Sequence, residues 1–226
     1  MIQAVIFDMD GVIIDSEPLW RRAIPDVFSV LDIHLNEDQA MQTTGLRVDE
    51  VVHYWYERYS ITDPPPDFVI RKINAQVIDY IKEEGTVMDG LNDVIAVFRE
   101  RGIPVSLASS SHYTLIDAVI DTLDIRRHFD IIYSAEQEEY GKPHPGVYIT
   151  TARKLGIPPY ACLAIEDSLA GTIAAKAARM MCIAMPEGYP DFVNGFHIAD
   201  RIVDSLSAID EKMLRAIEDE RKRKGI

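Results

Sequence analysis

Residues 4–17 read AVIFDMDGVIIDSE, and their reading decides the fold. Ala4-Val5-Ile6-Phe7 is a continuous apolar run with no polar alternation, the pattern of a strand buried on both faces of a parallel sheet. The run stops at Asp8. Four acids, Asp8, Asp10, Asp15 and Glu17, then fall within ten positions. Asp8 and Asp10 are two apart, so on an extended chain their side chains point the same way. Adjacent carboxylates repel and do not both ionise without help. Taken alone, the pattern has a plain alternative, a solvent-facing loop after a strand.

Working outward, four more apolar runs follow, at Val105–Ala108, Phe129–Tyr133, Cys162–Ile165 and Met181–Met185. Segments with helical periodicity lie between them, at Leu91–Arg101, Leu115–Leu123, Pro145–Leu155 and Gly171–Arg179. Alternating strands and helices predict an α/β fold, a Rossmann-like parallel five-stranded sheet with helices on both faces. The stretch from Ser16 to Glu84 breaks the rhythm. It reads as helix at Leu19–Leu31, Glu37–Thr43, Val48–Tyr59 and Asp67–Glu84, with Pro64-Pro65-Pro66 before the last. The organisation expected is a catalytic core of residues 1–15 and 87–226, with a small helical domain, residues 16–86, inserted after the first strand.

The net charge of the 226-residue chain is −14. Such acidity argues against nucleic acid or an anionic membrane as partner. An anionic ligand would need local positive groups to overcome the global field. Asp8 and Asp10 interrupt the one apolar segment near the start, and no basic residue precedes it, so no signal peptide is expected. No apolar stretch reaches the roughly 20 residues of a membrane span. Cys162 and Cys182 sit in apolar runs and read as reduced core thiols. The expected location is the cytoplasm. The charged tail Glu218–Lys224 reads as a solvated helix end, with a basic hook as the alternative.

In open α/β sheets, ligands bind beyond the carboxyl ends of the strands. Asp8 and Asp10 follow the first strand and Ser109, Ser110 and Ser111 the second. Gly141-Lys142-Pro143-His144-Pro145 lies beyond the third, and Glu166-Asp167 ends the fourth. Carboxylates gathered at one point need a counter-charge, and oxygen-ligated Mg2+ fits best. A calcium loop fits poorly, because Gly11 comes two places early and Leu19 stands where a bidentate Glu belongs. Lys142, on a backbone stiffened by prolines, reads either as a surface lysine or as an ammonium that balances the acids and holds an anion. The run Ser109–Thr114 reads either as an anion cradle or as the N-cap of the next helix. No Gly-x4-Gly-Lys-Ser/Thr, Gly-x-Gly-x-x-Gly or Gly-x-Ser-x-Gly motif is present. A cradle, a divalent ion, a lysine and a free carboxylate together suit phosphoryl transfer.

The ordered set Asp8-Met-Asp10-Gly-Val, Leu107-Ala-Ser109-Ser, Lys142-Pro-His-Pro and Ile165-Glu166-Asp167-Ser resembles the haloacid dehalogenase superfamily of phosphatases. The position of the helical insert resembles the cap of its β-phosphoglucomutase-like branch. DSEPLW (15–20) and TTGLR (43–47) look most like that branch's bacterial hexitol- and 2-deoxyglucose-6-phosphate phosphatases. The resemblance implies an Mg2+-dependent phosphatase acting on small sugar monophosphates, with Asp8 as nucleophile and Asp10 as acid and base. It implies that Asp8, the Asp10 carbonyl and Asp167 hold Mg2+, with Glu166 acting through water. Ser109, the Ser110 N–H and Lys142 would hold the phosphoryl group. Gly45, Leu46 and Arg47 match the substrate-facing loop of the cap, although Arg47 also reads as an exposed helix-start residue. Asp15 reads either as a sugar contact or, with Ser16, as a helix cap ahead of Pro18. Trp55, Tyr56 and Tyr59 read as core of the insert. Trp20 stands where the mutase branch has a histidine, which favours hydrolysis over a sugar phosphomutase. The remaining alternative is a non-enzymatic phospho-acceptor domain. A monomer is expected, because a cap must move.

Overall fold

The computed structural model describes residues 1–43, 46–187, 194–223 and 225. Strands β1 (Ala4–Phe7), β2 (Val105–Ser109), β3 (Ile131–Ser134), β4 (Cys162–Glu166), β5 (Met181–Ala184) and β6 (Arg201–Ile202) form one sheet. Its order is β3-β2-β1-β4-β5-β6, and every pairing is parallel. From β1 the chain runs outward to β3 on one side, then returns to lay β4 against the other side of β1. This reversal opens a crevice at the carboxyl ends of β1 and β4, where α/β sheets hold ligands. Phe7 pairs with Leu107 and with Ile165, so Asp8 and Glu166 emerge side by side.

The runs of β1, β2, β4 and β5 are buried on both faces, whereas Ile131 and Ile132 of the edge strand β3 are only partly buried. Val5, Phe7, Leu163, Ile165 and Ile183 share one core layer with Phe98 of α5 (Leu91–Glu100), Ile116 of α6 (Tyr113–Thr122) and Leu214 of α9 (Glu211–Arg223). Ala4, Ile6, Ala164 and Cys182 face the other way, against Tyr148 of α7 (Gly146–Leu155) and Ala174 of α8 (Leu169–Ala177). Small residues on this second face let the helices pack close. Both cysteines are buried and unpaired.

Five strands are expected from the sequence and six are present. β6 is two residues long and carries no apolar run; its place comes from pairing with Ile183 and Ala184. β3 starts at Ile131 and not at Phe129, because a 3-10 turn at Arg126–His128 precedes it and the Asp130 carboxylate accepts from Val105 N at 2.9 Å.

Between β1 and α5 lie α1 (Glu17–Ser29), α2 (Glu37–Met41), α3 (Val48–Tyr59) and α4 (Pro66–Glu84), with no named strand among the described residues. Exit and return run side by side: Met88 N donates to Ile13 O at 2.9 Å and Asp15 N to Thr86 O at 3.1 Å. Helix α4 packs against α1 and α3, and also against α6 of the sheet layer. Trp55 and Tyr56 are buried inside this insert, whereas Tyr59 stays 40% exposed beside the Trp55 ring. Among the described residues no helix is long and apolar enough to cross a membrane.

Candidate active site

Lys142 is the hub. It is 4% exposed, on the loop between β3 and α7. Its Nζ donates to Glu166 Oε1 at 2.6 Å and stands 2.8 Å from Asp8 Oδ1. That Asp8 oxygen has no partner in hydrogen-bond geometry, so the second contact is an ion pair rather than an aligned bond. Burial alone would lower the lysine pKa, but Asp8 and Glu166 outweigh it and hold the ammonium well above its ordinary value. Glu166 is fully buried and filled with donors. Oε1 takes Lys142 and the Tyr148 hydroxyl; Oε2 takes Ser168 N at 3.3 Å and Ser168 Oγ at 3.1 Å. Ser168 also caps α8, its Oγ accepting from Gly171 N at 3.0 Å.

Asp10 is held apart from this group. Ser16 Oγ donates to its Oδ1 at 2.6 Å, Trp20 Nε1 to the same oxygen at 3.0 Å, and Ser111 Oγ to Oδ2 at 2.9 Å. Two of the donors come from the entry to the insert and one from the end of β2. The expected helix-capping role of Ser16 is therefore corrected: no side chain caps α1, because the hydroxyl is turned to Asp10, while Pro18 does occupy the first turn. The capping alternative for Ser109–Thr114 is corrected too. The Glu136 carboxylate, from beyond β3, accepts from Tyr113 N at 2.9 Å at the start of α6, and no side chain of the run caps that helix.

Asp8, Glu166 and Asp167 each present an oxygen within 4.8 Å of the others. Burial first, then the Glu166 charge, push the Asp8 pKa up to about 7, against the pull of Lys142. Burial and the Glu166 and Asp8 charges raise Asp167 well above the carboxylate range. Were all three carboxylates ionised, the one ammonium would leave two negative charges uncompensated. Their all-oxygen donor set suits a hard divalent ion. Gly11, at φ +67°, gives Asp167 room, since a Cβ there would overlap Asp167 Oδ2. The residues thus fit a metal. The Asp10 carboxylate is outside the set, tied to its three donors, and both oxygens of Glu166 are already engaged.

A cleft between sheet and insert joins these groups to Glu17, Trp20, Arg21, Ile24, Asn74 and Val51. Of the residues expected from sequence, Asp8, Asp10, Ser110, Leu46, Arg47, Lys142 and Asp167 line it. Ser109 is fully buried behind, its Oγ accepting from Ser111 N at 3.0 Å. Gly45 lies outside the described residues. Arg47 is not an exposed helix start: it lies over Gly141 and pairs with Asp49. Asp15 is not brought to this cleft; it is exposed and lines an adjoining acidic cavity with Met88, Glu187 and Asp204, which shares Glu17 and Asp167 with the cleft. Glu17 is the acid that enters, and burial first, with Asp10 next, pushes its pKa up to about 7. Sequence reasoning missed Arg21, Asn74 and Tyr148 and gave Glu17 no role in the site, whereas Ser111 stood within the expected cradle. Glu17 was visible only as the last of four acids within ten positions. Nothing local marked Arg21, Asn74 or Tyr148.

The model of the haloacid dehalogenase-like hydrolase family matches residues 2–179. Hexitol phosphatase B of Escherichia coli strain K12 is 40% identical over 214 residues, covering 94% of this chain and 96% of that protein. The crystal structure of CbbY from Rhodobacter sphaeroides in complex with phosphate superposes with a TM-score of 0.85 at 27% identity, covering 95% of this chain and 100% of that one. β-Phosphoglucomutase from Clostridium difficile shares the fold, with a TM-score of 0.84 at 23% identity over 97% of this chain and 98% of that one. The non-enzymatic phospho-acceptor alternative is overturned by the match to a hydrolase family and by the likeness to a phosphatase.

Proposed function

The chain belongs to the haloacid dehalogenase-like hydrolases and is a phosphoric monoester hydrolase, and on that premise we propose that it hydrolyses small hexose and hexitol monophosphates with Mg2+ through an aspartyl-phosphate on Asp8. The observation that carries this reading is the division of labour between the two acids. Asp8 is buried against Lys142 and the carboxylate cluster, whereas Asp10 faces the same cleft on three donors of its own.

In this reading Asp8 attacks phosphorus as the bond to the sugar oxygen breaks, and Asp10 gives that oxygen its proton. Asp10 then takes a proton from the water that attacks phosphorus; the bond to Asp8 breaks, and phosphate and the free carboxylate result. Lys142 and the Ser110 N–H hold the phosphoryl group, and Ser109, buried behind them, orders the Ser110 loop by accepting from Ser111 N. Asp8, the Asp10 carbonyl and Asp167 would hold Mg2+, with Glu166 acting through water. When bound, the ion supplies charge stabilisation to the transferring oxygens. Residues 16–86 serve as a cap over a core of 1–15 and 87–226. Its wall of Ile24, Val48 and Val51, with Glu17, Arg47 and Asn74 as polar readers, suits one small polyol. Asp15, outside this cleft, is left without a substrate role. Trp20 on Asp10 favours hydrolysis over mutase chemistry. The protein is proposed to work as a cytoplasmic monomer.

The test is phosphate release from a panel of hexose, hexitol, triose and nucleoside monophosphates, with Mg2+ or with EDTA, for wild type and Asp8→Asn. Turnover of hexose or hexitol phosphates that needs both Mg2+ and Asp8 supports the reading. Turnover indifferent to Asp8, or best on nucleotides, refutes it.

A further inference from the structure

Tyr148 lies on α7, six residues after Lys142, and is fully buried without lining the cleft. Its hydroxyl donates to Glu166 Oε1, the same oxygen that accepts from Lys142 Nζ at 2.6 Å. The Lys142 Nζ stands 5.2 Å from the centre of its ring. Ser168 occupies the other Glu166 oxygen through its N–H and its hydroxyl.

Lysine is a point charge on a flexible four-carbon stem, and here it sits between two anions. Its place is set by the balance of their pulls. Were Glu166 free to turn, or were Oε1 to offer all its acceptor strength to the ammonium, Lys142 would be drawn from Asp8 toward Glu166. The tyrosine hydroxyl takes part of that acceptor strength, and its ring walls the lysine stem. Phenylalanine would fill the same space without a hydroxyl to bury, and a buried hydroxyl is costly unless it is bonded. Burial first, and the Glu166 charge next, raise the Tyr148 pKa well above its ordinary value, so the group stays a donor.

We propose that Tyr148 is a positioning residue: by fixing the Glu166 carboxylate it keeps Lys142 shared with Asp8 and aimed at the transferring phosphoryl group. This rests on the reading of Lys142 as a phosphoryl-binding group. It separates Glu166 from a merely metal-directed role, because the carboxylate acts through the lysine.

The experiment compares wild type with Tyr148→Phe by calorimetric titration with inorganic phosphate in Mg2+, alongside kcat and KM on the best substrate of the panel. Supporting partners one step from a reactive group typically matter about 10–100-fold. The expected result is phosphate affinity weakened about tenfold at full stoichiometry, with kcat lowered at least as much. Stoichiometry reports the folded fraction and affinity reports the site, so the two are read separately. Unchanged phosphate affinity, at full or at reduced stoichiometry, overturns the proposal. A wild type that neither binds phosphate nor releases it from any substrate overturns the parent reading; an active wild type matched by Tyr148→Phe overturns this inference alone.

Discussion

Gly171→Ala sets two effects against each other on one carbon atom. Gly171 is in the first turn of α8, where its backbone is helical and needs no special conformation. On propensity alone, alanine should stabilise the helix by about 1 kcal/mol. The added Cβ, however, would overlap the Glu166 carboxylate. A flexible side chain could swing away, but Glu166 is fully buried and held by Lys142, Tyr148 and both donors of Ser168. Displacing it leaves Lys142 a buried cation with one partner fewer, and breaking a buried pair costs about 3–5 kcal/mol. The net expectation is destabilisation by about 2–4 kcal/mol, or a Tm lowered by about 5–15 °C in a chain of this size. Because Lys142 loses its anchor, activity should fall by about 10–100-fold even where the protein is folded. Thermal melts followed by circular dichroism, with kcat measured well below the melting range, check both numbers. A variant that melts higher than wild type and turns over normally would refute the reasoning, since propensity would then have outweighed the clash and Glu166 would be free to move.

Gly11→Ala meets both a left-handed backbone and the Asp167 carboxylate, so its apparent Mg2+ affinity, read from activity and from Mg2+-induced thermal shifts, should drop at least about tenfold. Trp20→Phe removes one of three donors to Asp10. A bond to a charged group is worth about 1.5–3 kcal/mol, so kcat/KM on a sugar phosphate should fall about 10–100-fold. The loss should be smaller on p-nitrophenyl phosphate, whose leaving group needs no acid; equal losses on both would count against Asp10 as the acid. The pKa values of Asp8 and Glu17, raised to about 7, favour their protonated forms in the metal-free fold. Stability from these groups is therefore present at low pH and lost as pH rises from about 4 through 7. Mg2+ must displace protons below that range, so the rise in Tm on adding Mg2+ should be larger at pH 8 than at pH 5.

The strands were legible because parallel strands buried on both faces must be largely apolar, and five stretches are, with only Ser106 and Asp130 interrupting them. The sixth was illegible because Arg201 and Ile202 pair by register with β5 and carry no pattern of their own. The acids at 8, 10, 166 and 167 were legible as a group because strand ends converge at the reversal of strand order. What faces the cleft from the insert was not. Asn74 and Arg21 reach it only through the packing of α1 on α4, a tertiary fact with no local signal. Asp15 and Glu17 show the same limit at close range. Two residues apart, they would share a face of an extended chain, yet with α1 beginning at Glu17 it is Glu17 and not Asp15 that lines the cleft. Hydroxyl roles were the least legible. Ser16 and Ser109 have the chemistry of caps, but a nearby carboxylate and a tight loop claim their oxygens instead.

The proposed mechanism turns on a covalent bond between Asp8 and phosphorus. The most direct measurement is a rapid acid quench of wild type turning over its best sugar phosphate, followed by borohydride reduction and peptide mass spectrometry. The expected result is reductive conversion of an acyl-phosphate to homoserine at residue 8 and at no other acid, absent from enzyme quenched before substrate is added. Full turnover with no modification at Asp8, or with modification at Asp10 or Asp167 instead, would contradict it.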